Sequence, residues 1–381
     1  MTGKTGRHQG SEGAWPRAAL PVAALPVFVA VCVFAGISSA RAQTPPTQQL
    51  PAAVGNISLS SPAATLEVGT RFLRHLGTEA AARATGAPSR FDPAGGGADL
   101  EDAPAAVQIG ERYRAWFEAY GIRSRMDPRG DFAGDKRRII GGGAGLGMVL
   151  TPGVSVGISV DQSRTDVDIS PLAQSSKIDL TQIGGNIAFE SGPWVLGVAA
   201  VHGFGKVDQQ RGAAAPSLST YDTRLWGVLT ELSYLWSSGN WRVVPKLGLD
   251  WVRAESDGFV ESGGAVPVIG SEQIAERTRI FGGAEFGYTW LAASTVMDFS
   301  VYGRAVQIVS LNAGGLTISA VDGSALPRFL AGVSEDRTGF DAGAALSMRL
   351  SPRTRFYAVY DGRFRGNFES HAGTLGLEFR W

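Results

Sequence analysis

Few residues in this 381-residue chain have the type and spacing for covalent or metal chemistry. Beyond residue 42 the histidines are His75, His202 and His371, and none forms a His-x-x-x-His or His-x-x-Glu-His pair, so the spacing of a catalytic metal site is lacking. His202, in Ala200-Val201-His202-Gly203, has no serine two residues on, as an outer-membrane phospholipase motif would, and reads as a strand residue near a loop. The single cysteine, Cys32, falls in the N-terminal region, which leaves no disulfide, zinc finger or thiolate nucleophile after it. Gly141-Gly142-Gly143-Ala144-Gly145 could suggest a phosphate loop, but no Lys-Ser or Lys-Thr follows; small residues that let a helix or strongly twisted strands approach closely explain it better. The expectation is a protein that is not an enzyme, with no catalytic residue, cofactor or metal.

A second group of polar residues is more regular. Arg242, Lys246, Asp250, Arg279, Glu285, Asp298, Arg304, Asp341, Arg349, Arg355, Asp361, Glu378 and Arg380 occupy one face of alternating segments. They could pair with each other across strands and grip a helix, or give a channel its selectivity. Their mixed sign favours pairing.

The elements that would carry them are strands. In residues 241–251, Trp241, Val243, Leu247, Leu249 and Trp251 alternate with Arg242, Lys246 and Asp250; in 340–350, Phe340, Ala342, Ala344, Leu346, Met348 and Leu350 oppose Asp341, Gly343, Ser347 and Arg349. One apolar and one charged face is the pattern of a transmembrane strand between lipid and a wet lumen. Twelve such segments are expected near 112–123, 137–150, 153–164, 177–190, 194–207, 223–236, 241–253, 277–290, 295–307, 339–350, 354–365 and 373–381. Tight turns at 151–152, 191–193, 237–240, 291–294 and 351–352 alternate with long polar connections at 124–136, 165–176, 208–222, 254–276 and 308–338; only the last, 366–372, is short. Short periplasmic turns and longer extracellular loops give a barrel that rhythm. Trp194, Trp236, Trp241, Trp290 and Trp381 all lie on the short-turn side, as one aromatic girdle, with Trp226 and Trp251 available for the other. The fold class expected is all-β: an up-and-down antiparallel transmembrane barrel of about twelve strands.

Composition agrees. Fifty-one glycines and a mean hydropathy of +0.02 suit neither a helical membrane protein nor a disordered one, and no run of eighteen apolar residues follows the N-terminal region. Lys plus Arg and Asp plus Glu are equal at 35 each, which gives no electrostatic case for nucleic acid. Residues 1–42 read as a signal peptide: Lys4, Arg7 and Arg17, an apolar run over 18–37, then Ala40-Arg41-Ala42 before Gln43. The secretory translocon and signal peptidase are the implied partners. Residues 43–110 read as a disordered leader with a flexible linker over 85–106. Between them a helix is expected over 62–84, capped by Ser61, with Pro62 in its first turn and Leu66, Phe72, Leu73 and Leu76 as its apolar positions, Gly69 counting against it. The barrel would occupy 111–381.

The opening strand Tyr113-Arg114-Ala115-Trp116-Phe117-Glu118-Ala119-Tyr120-Gly121, the glycine-rich 141–147, Val154–Val160, Phe356–Phe364 and the ending His371-Ala372-Gly373-Thr374-Leu375-Gly376-Leu377-Glu378-Phe379-Arg380-Trp381 together resemble the autotransporter β-domain, the translocator of type V secretion. The resemblance covers about 112–381. It implies a twelve-stranded outer-membrane barrel with both ends of the domain periplasmic, a helix threading the pore, and a passenger exported to the cell surface. It also implies that Leu375, Leu377, Phe379 and Trp381 form the signal read by the barrel-assembly machinery. Little precedes the barrel, and the family's Asn-Asn self-cleavage motif is missing, with Asn56 alone in Gly55-Asn56-Ile57. The expected function is therefore a translocator or surface protein with a vestigial passenger, acting through exposed loops; a small-solute channel is the alternative. If the helix fills the pore, Arg71, Arg74 and Arg83 should meet lumen carboxylates such as Glu231 or Glu285.

Overall fold

A computed structural model describes residues 49–84, 112–292 and 295–381, with the side chains of 79–84 outside that set. The signal peptide expected at 1–42 and the linker at 85–106 lie outside the described residues. Twelve long strands follow one another: β1 (Tyr113–Met126), β2 (Asp135–Thr151), β3 (Val154–Ile169), β4 (Gln174–Ser191), β5 (Trp194–Arg211), β6 (Ser217–Tyr234), β7 (Trp241–Ser256), β8 (Gln273–Ala292), β9 (Thr295–Asn312), β10 (Thr338–Ser351), β11 (Thr354–Arg365) and β12 (Phe368–Arg380). Each pairs antiparallel with its neighbours, and β12 pairs with β1 from Arg114↔Arg380 to Met126↔Phe368, which closes the barrel. Trp381 extends that seam, its backbone exchanging hydrogen bonds of 2.9 and 3.0 Å with Tyr113.

The outer wall follows the expected alternation. Leu375, Leu377, Phe379 and Trp381 all point outward, beside an inward Glu378 that is 1% exposed. Trp194, Trp241 and Trp381 face out at the short-turn end, where Tyr234, Tyr288 and Tyr113 pair with them at ring distances of 4.8, 4.6 and 6.2 Å. Two-residue turns join strands there, and Gly153 (φ 79°) and Gly192 (φ 57°) supply the left-handed residue such turns require.

Most strands run several residues further toward the long-loop end than the hydrophobic pattern suggests, and the reason is a change of medium. On β3, Val160 faces out and Asp161, 1% exposed, faces in; higher on the same strand, Arg164 and Asp166 face out while Val167 and Ile169, both 1% exposed, face in. The alternation reverses where lipid gives way to water. Inward Ile178, Val207 and Tyr221 continue this apolar ring on β4, β5 and β6. The connections are correspondingly short, at 127–134, 170–173 and 212–216.

The two longest connections are not simple exposed loops. Phe259–Val260 and Val268–Gly270 from one, with Leu316–Ala320 and Arg328–Leu330 from the other, build a four-stranded antiparallel sheet over the mouth. Its inner side chains, Phe259, Val268, Leu316, Ile318 and Leu330, join the apolar ring below in one core.

The glycine-rich β2 makes room for β1 rather than for the helix. Gly141 and Gly145 stand opposite Tyr120 and Trp116, and a Cβ on either would lie 2.5 Å from those rings. A Gly145→Val substitution should lower the unfolding midpoint of the refolded barrel by the equivalent of about 1–3 kcal/mol, the cost of overpacking. The temperature at which the folded form is lost on unheated gels reads this, and an unchanged midpoint would mean the Trp116 slot is loose.

Candidate functional site

The pore is the candidate site, and helix α1 (Asn56–Ala84) fills it. At 1.5 Å per residue its 29 residues extend roughly 40 Å. Its N-terminal turns lie in the cap core, where Leu50, Ile57 and Leu59 are buried against Leu316, Ile318 and Leu330. Its later turns meet the barrel wall. The chain therefore enters from the long-loop, extracellular mouth. Gln49 bridges to Leu326 in parallel register, and the Leu50 N–H donates to the Leu326 carbonyl at 3.4 Å.

The helix begins six residues before the expected Pro62, and the expected cap Ser61 lies inside it. Tertiary contacts decide this start. The Gln174 side chain accepts from the Ile57 N–H at 3.0 Å and donates to the Ala53 carbonyl at 2.7 Å; the Asn56 side chain accepts from the Ala133 N–H at 2.7 Å. Barrel groups thus anchor the helix end, Gln174 serving the Ile57 N–H that a local cap would otherwise satisfy. The part of the leader from residue 49 to 61 is accordingly ordered and largely buried.

One helix face is apolar. Leu66, Phe72, Leu73 and Leu76 pack on Ala199, Val201, Leu225, Leu229, Val252 and Phe281 of β5 to β8. Burying each large side chain contributes about 1.5–3 kcal/mol. Gly69, unfavourable by propensity, is required by proximity: a Cβ there would lie 2.4 Å from Leu225.

The other face is ionic. Arg71 bonds Glu118 at 2.9 Å and Thr374 at 3.2 Å and lies 3.2 Å over the Tyr120 ring. Arg74 pairs with Asp341 at 2.8 Å, and His75 lies 3.4 Å from Glu118. Glu67 accepts from Ser124 and Ser370, each at 2.9 Å, and from Arg137 at 3.3 Å. The expected partners Glu231 and Glu285 are not those of Arg71 and Arg74, because they lie beside Lys246 at 3.6 and 3.5 Å. The Arg83 side chain lies outside the described residues.

Most of the lumen charges named from the sequence pair within the wall, Arg349 having no ion pair among the described residues. Asp250 takes Arg279 with two bonds of 2.8 and 2.6 Å; Asp298 takes Arg242; Glu378 takes Arg355 at 2.7 Å, Arg114 at 2.9 Å and Arg380 at 2.6 Å. Strand periodicity could not reveal the contributions of Glu335, which descends from the cap loop onto Arg363 and Arg277, or of the cap sheet. The alternation Leu316-Thr317-Ile318-Ser319-Ala320 was the available signal for the latter.

The chemistry-bearing residues are scattered. His202 faces outward beside Trp226, and His371 faces outward with Tyr360 and Glu369. Gly153-Val154-Ser155-Val156-Gly157 fits G-x-S-x-G, but Ser155 lies inside β3, away from the strand-to-helix turn that a nucleophile elbow needs, and its buried hydroxyl has no hydrogen-bond partner among the described residues.

A closed twelve-stranded barrel with an apolar outer band, aromatic girdle and helix-filled lumen is an outer-membrane β-barrel. Residues 115–361 match the family model described as autotransporter β-domain, and the chain belongs to that family. It is similar in fold to the translocator domain of the autotransporter NalP from Neisseria meningitidis, with a TM-score of 0.62, 14% identity, and coverage of 86% of this chain and 99% of that one. It is also similar to the β domain of the Bordetella autotransporter Brka, with a TM-score of 0.51, 13% identity, and coverage of 71% of this chain and 99% of that one. No curated protein matches it.

Asp341 ties the helix to the wall, lying 2.8, 3.1 and 2.9 Å from the guanidiniums of Arg74, Arg304 and Arg365. An Asp341→Asn substitution should destabilise the helix-filled barrel by about 3–5 kcal/mol, because breaking a buried pair strands the opposite charge. Urea unfolding of the refolded protein reads this, and wild-type stability would make the ionic grip incidental.

Proposed function

We propose that this outer-membrane autotransporter barrel is a translocator in its closed, post-export state, holding whatever is joined upstream of Gln49 at the cell surface. The observation that carries this reading is the direction of α1, which leads from a buried start in the extracellular cap down through the pore. The role is mechanical rather than catalytic: the barrel conducts a chain outward, and the helix and cap then seal the hole. A passive small-solute channel is disfavoured by the apolar and ionic contacts that line the helix on both faces.

The test is planar-bilayer conductance. The full chain should conduct poorly, and a protein lacking residues 43–84 should open a steady pore and raise antibiotic sensitivity in cells while its barrel still folds. Equal conductance of the two would overturn the reading and favour a channel around the helix.

The route to the membrane belongs to the same proposal. Residues 1–42 would engage the secretory translocon and be removed by signal peptidase after Ala42. The outward Leu375, Leu377, Phe379 and Trp381 would then be read by the barrel-assembly machinery. A Trp381→Asp substitution should sharply reduce the folded form in outer-membrane fractions without altering export across the inner membrane. Normal folded levels would make the aromatic ending irrelevant to assembly.

A further inference from the structure

Helix α1 runs against β2 to β8 and reaches the other side of the lumen through long polar side chains: Glu67 to Ser370 on β12, Arg71 to Glu118 on β1, and Arg74 to Asp341 on β10. Between the helix and that side lies a cavity of about 80 Å³, lined by Thr70 and Arg74 of α1, Arg304 of β9, Asp361 and Arg363 of β11, and Ala372 of β12. A second cavity, of about 510 Å³, lies toward the extracellular mouth. Asp127, Arg129 and Asp131 of the β1–β2 connection line it, with Asn367 and residues 330–337. Residues 331–337 stand between the two. They join the last cap strand, Arg328–Leu330, to β10 without regular secondary structure. Glu335 lines the outer cavity, and with Glu67 and Arg363, which line the inner one, it also lines a gap of about 20 Å³.

What holds this strap down is mainly ionic. Of its residues Glu335 alone is buried, at 5% exposure, and Val333 is half-buried against the cap core. The Glu335 carboxylate takes Arg277 of β8 and, at 3.1 and 3.2 Å, Arg363 and Arg365 of β11. Beside it the Asn367 side chain donates to the Ser334 carbonyl at 3.0 Å and accepts from the Asp336 N–H at 2.7 Å; Asp336 also pairs with Arg129 at 2.9 Å. Much of the attraction between buried charges is offset by their desolvation. Lifting Glu335 into water restores hydration that an apolar side chain would not gain. The strap therefore opens at lower cost than the cap sheet, whose Phe259, Val268, Leu316 and Ile318 are buried in a shared apolar core.

We propose that residues 331–337 are a gate latched by Glu335: the strap closes the sector of the pore that α1 leaves uncovered, and it lifts while the helix and the cap sheet stay in place. The proposal rests on the reading of the barrel as a helix-closed translocator and divides its seal in two. Opening the gate admits water and small ions from the cell exterior to the cavity beside the helix, without releasing the helix itself.

Thiol protection separates the two seals. Cys32 is the sole cysteine, so a Cys32→Ser chain carries one introduced reporter at a time. Ala372→Cys reports on the cavity behind the strap, and Ala199→Cys on the contact between α1 and β5. A small anionic methanethiosulfonate is added to intact cells. With the strap latched, both thiols should react slowly. Glu335→Gln strands Arg277 and Arg363, which have no other ion pair among the described residues. It should raise the rate at Ala372→Cys by about tenfold or more, while Ala199→Cys stays protected. Asn367→Ala, which spares Glu335 and its arginines, should raise that rate by a smaller factor, and it decides the question if Glu335→Gln does not fold. An unchanged rate at Ala372→Cys in the folded variants, or deprotection of both thiols together, refutes the gate. If both thiols react rapidly without either substitution, the helix does not close the barrel and the translocator reading fails along with the gate. Rapid reaction at Ala372→Cys alone, without either substitution, refutes the gate and leaves that reading standing.

Discussion

A barrel of twelve strands encloses more space than its own inward side chains can fill, and that surplus volume governs the interior of this molecule. The lumen wall carries charges of both signs, and each needs a partner inside a shell of low polarity. Part of the solution lies in the wall: Arg279 with Asp250, Arg242 with Asp298, Arg355 with Glu378. The rest is supplied by α1, whose two faces match two different sectors. Leu73 and Leu76 meet the aliphatic side of β5 to β8, and Arg71 and Arg74 meet carboxylates on β1 and β10. Neither the wall nor the helix is satisfied without the other.

The strands also cross two solvents, and their side chains record where. Within the lipid zone the outward residues are apolar and the inward ones charged; above it the pattern inverts, as β3 shows between Val160 and Ile169. The same backbone ladder thus forms a membrane barrel below and a water-soluble, apolar-cored structure above. The cap sheet and the first turns of α1 complete that upper core.

Much of this was legible in the residues. Alternation, the rhythm of short and long connections, and Trp194, Trp241 and Trp381 on one side were sufficient for the barrel and its orientation, because each reflects a local contact with lipid or water. The upper third of the strands was hidden because a rule tuned to lipid-facing alternation ends where the phase inverts. The start of α1 was misjudged for a related reason: Pro62 looks like a first-turn residue, but Gln174 and Ala133, distant in sequence, fix the start at Asn56. Glu335 was missed because nothing near it in sequence marks a loop residue that turns inward.

The cap core has a temporal side. Leu50 and Ile57 touch Leu316 and Leu330, partners more than 250 positions away along the chain. Contacts that span so much sequence form late, since their closure entropy is offset only after the intervening structure exists. Leu50, Ile57, Leu59 and Ala64 of this core reach the mouth with the helix segment, and the rest belongs to the barrel's strands and loops. The lid's hydrophobic interior is therefore complete only once that segment is in place, late in the order of contacts that the chain's own connectivity sets.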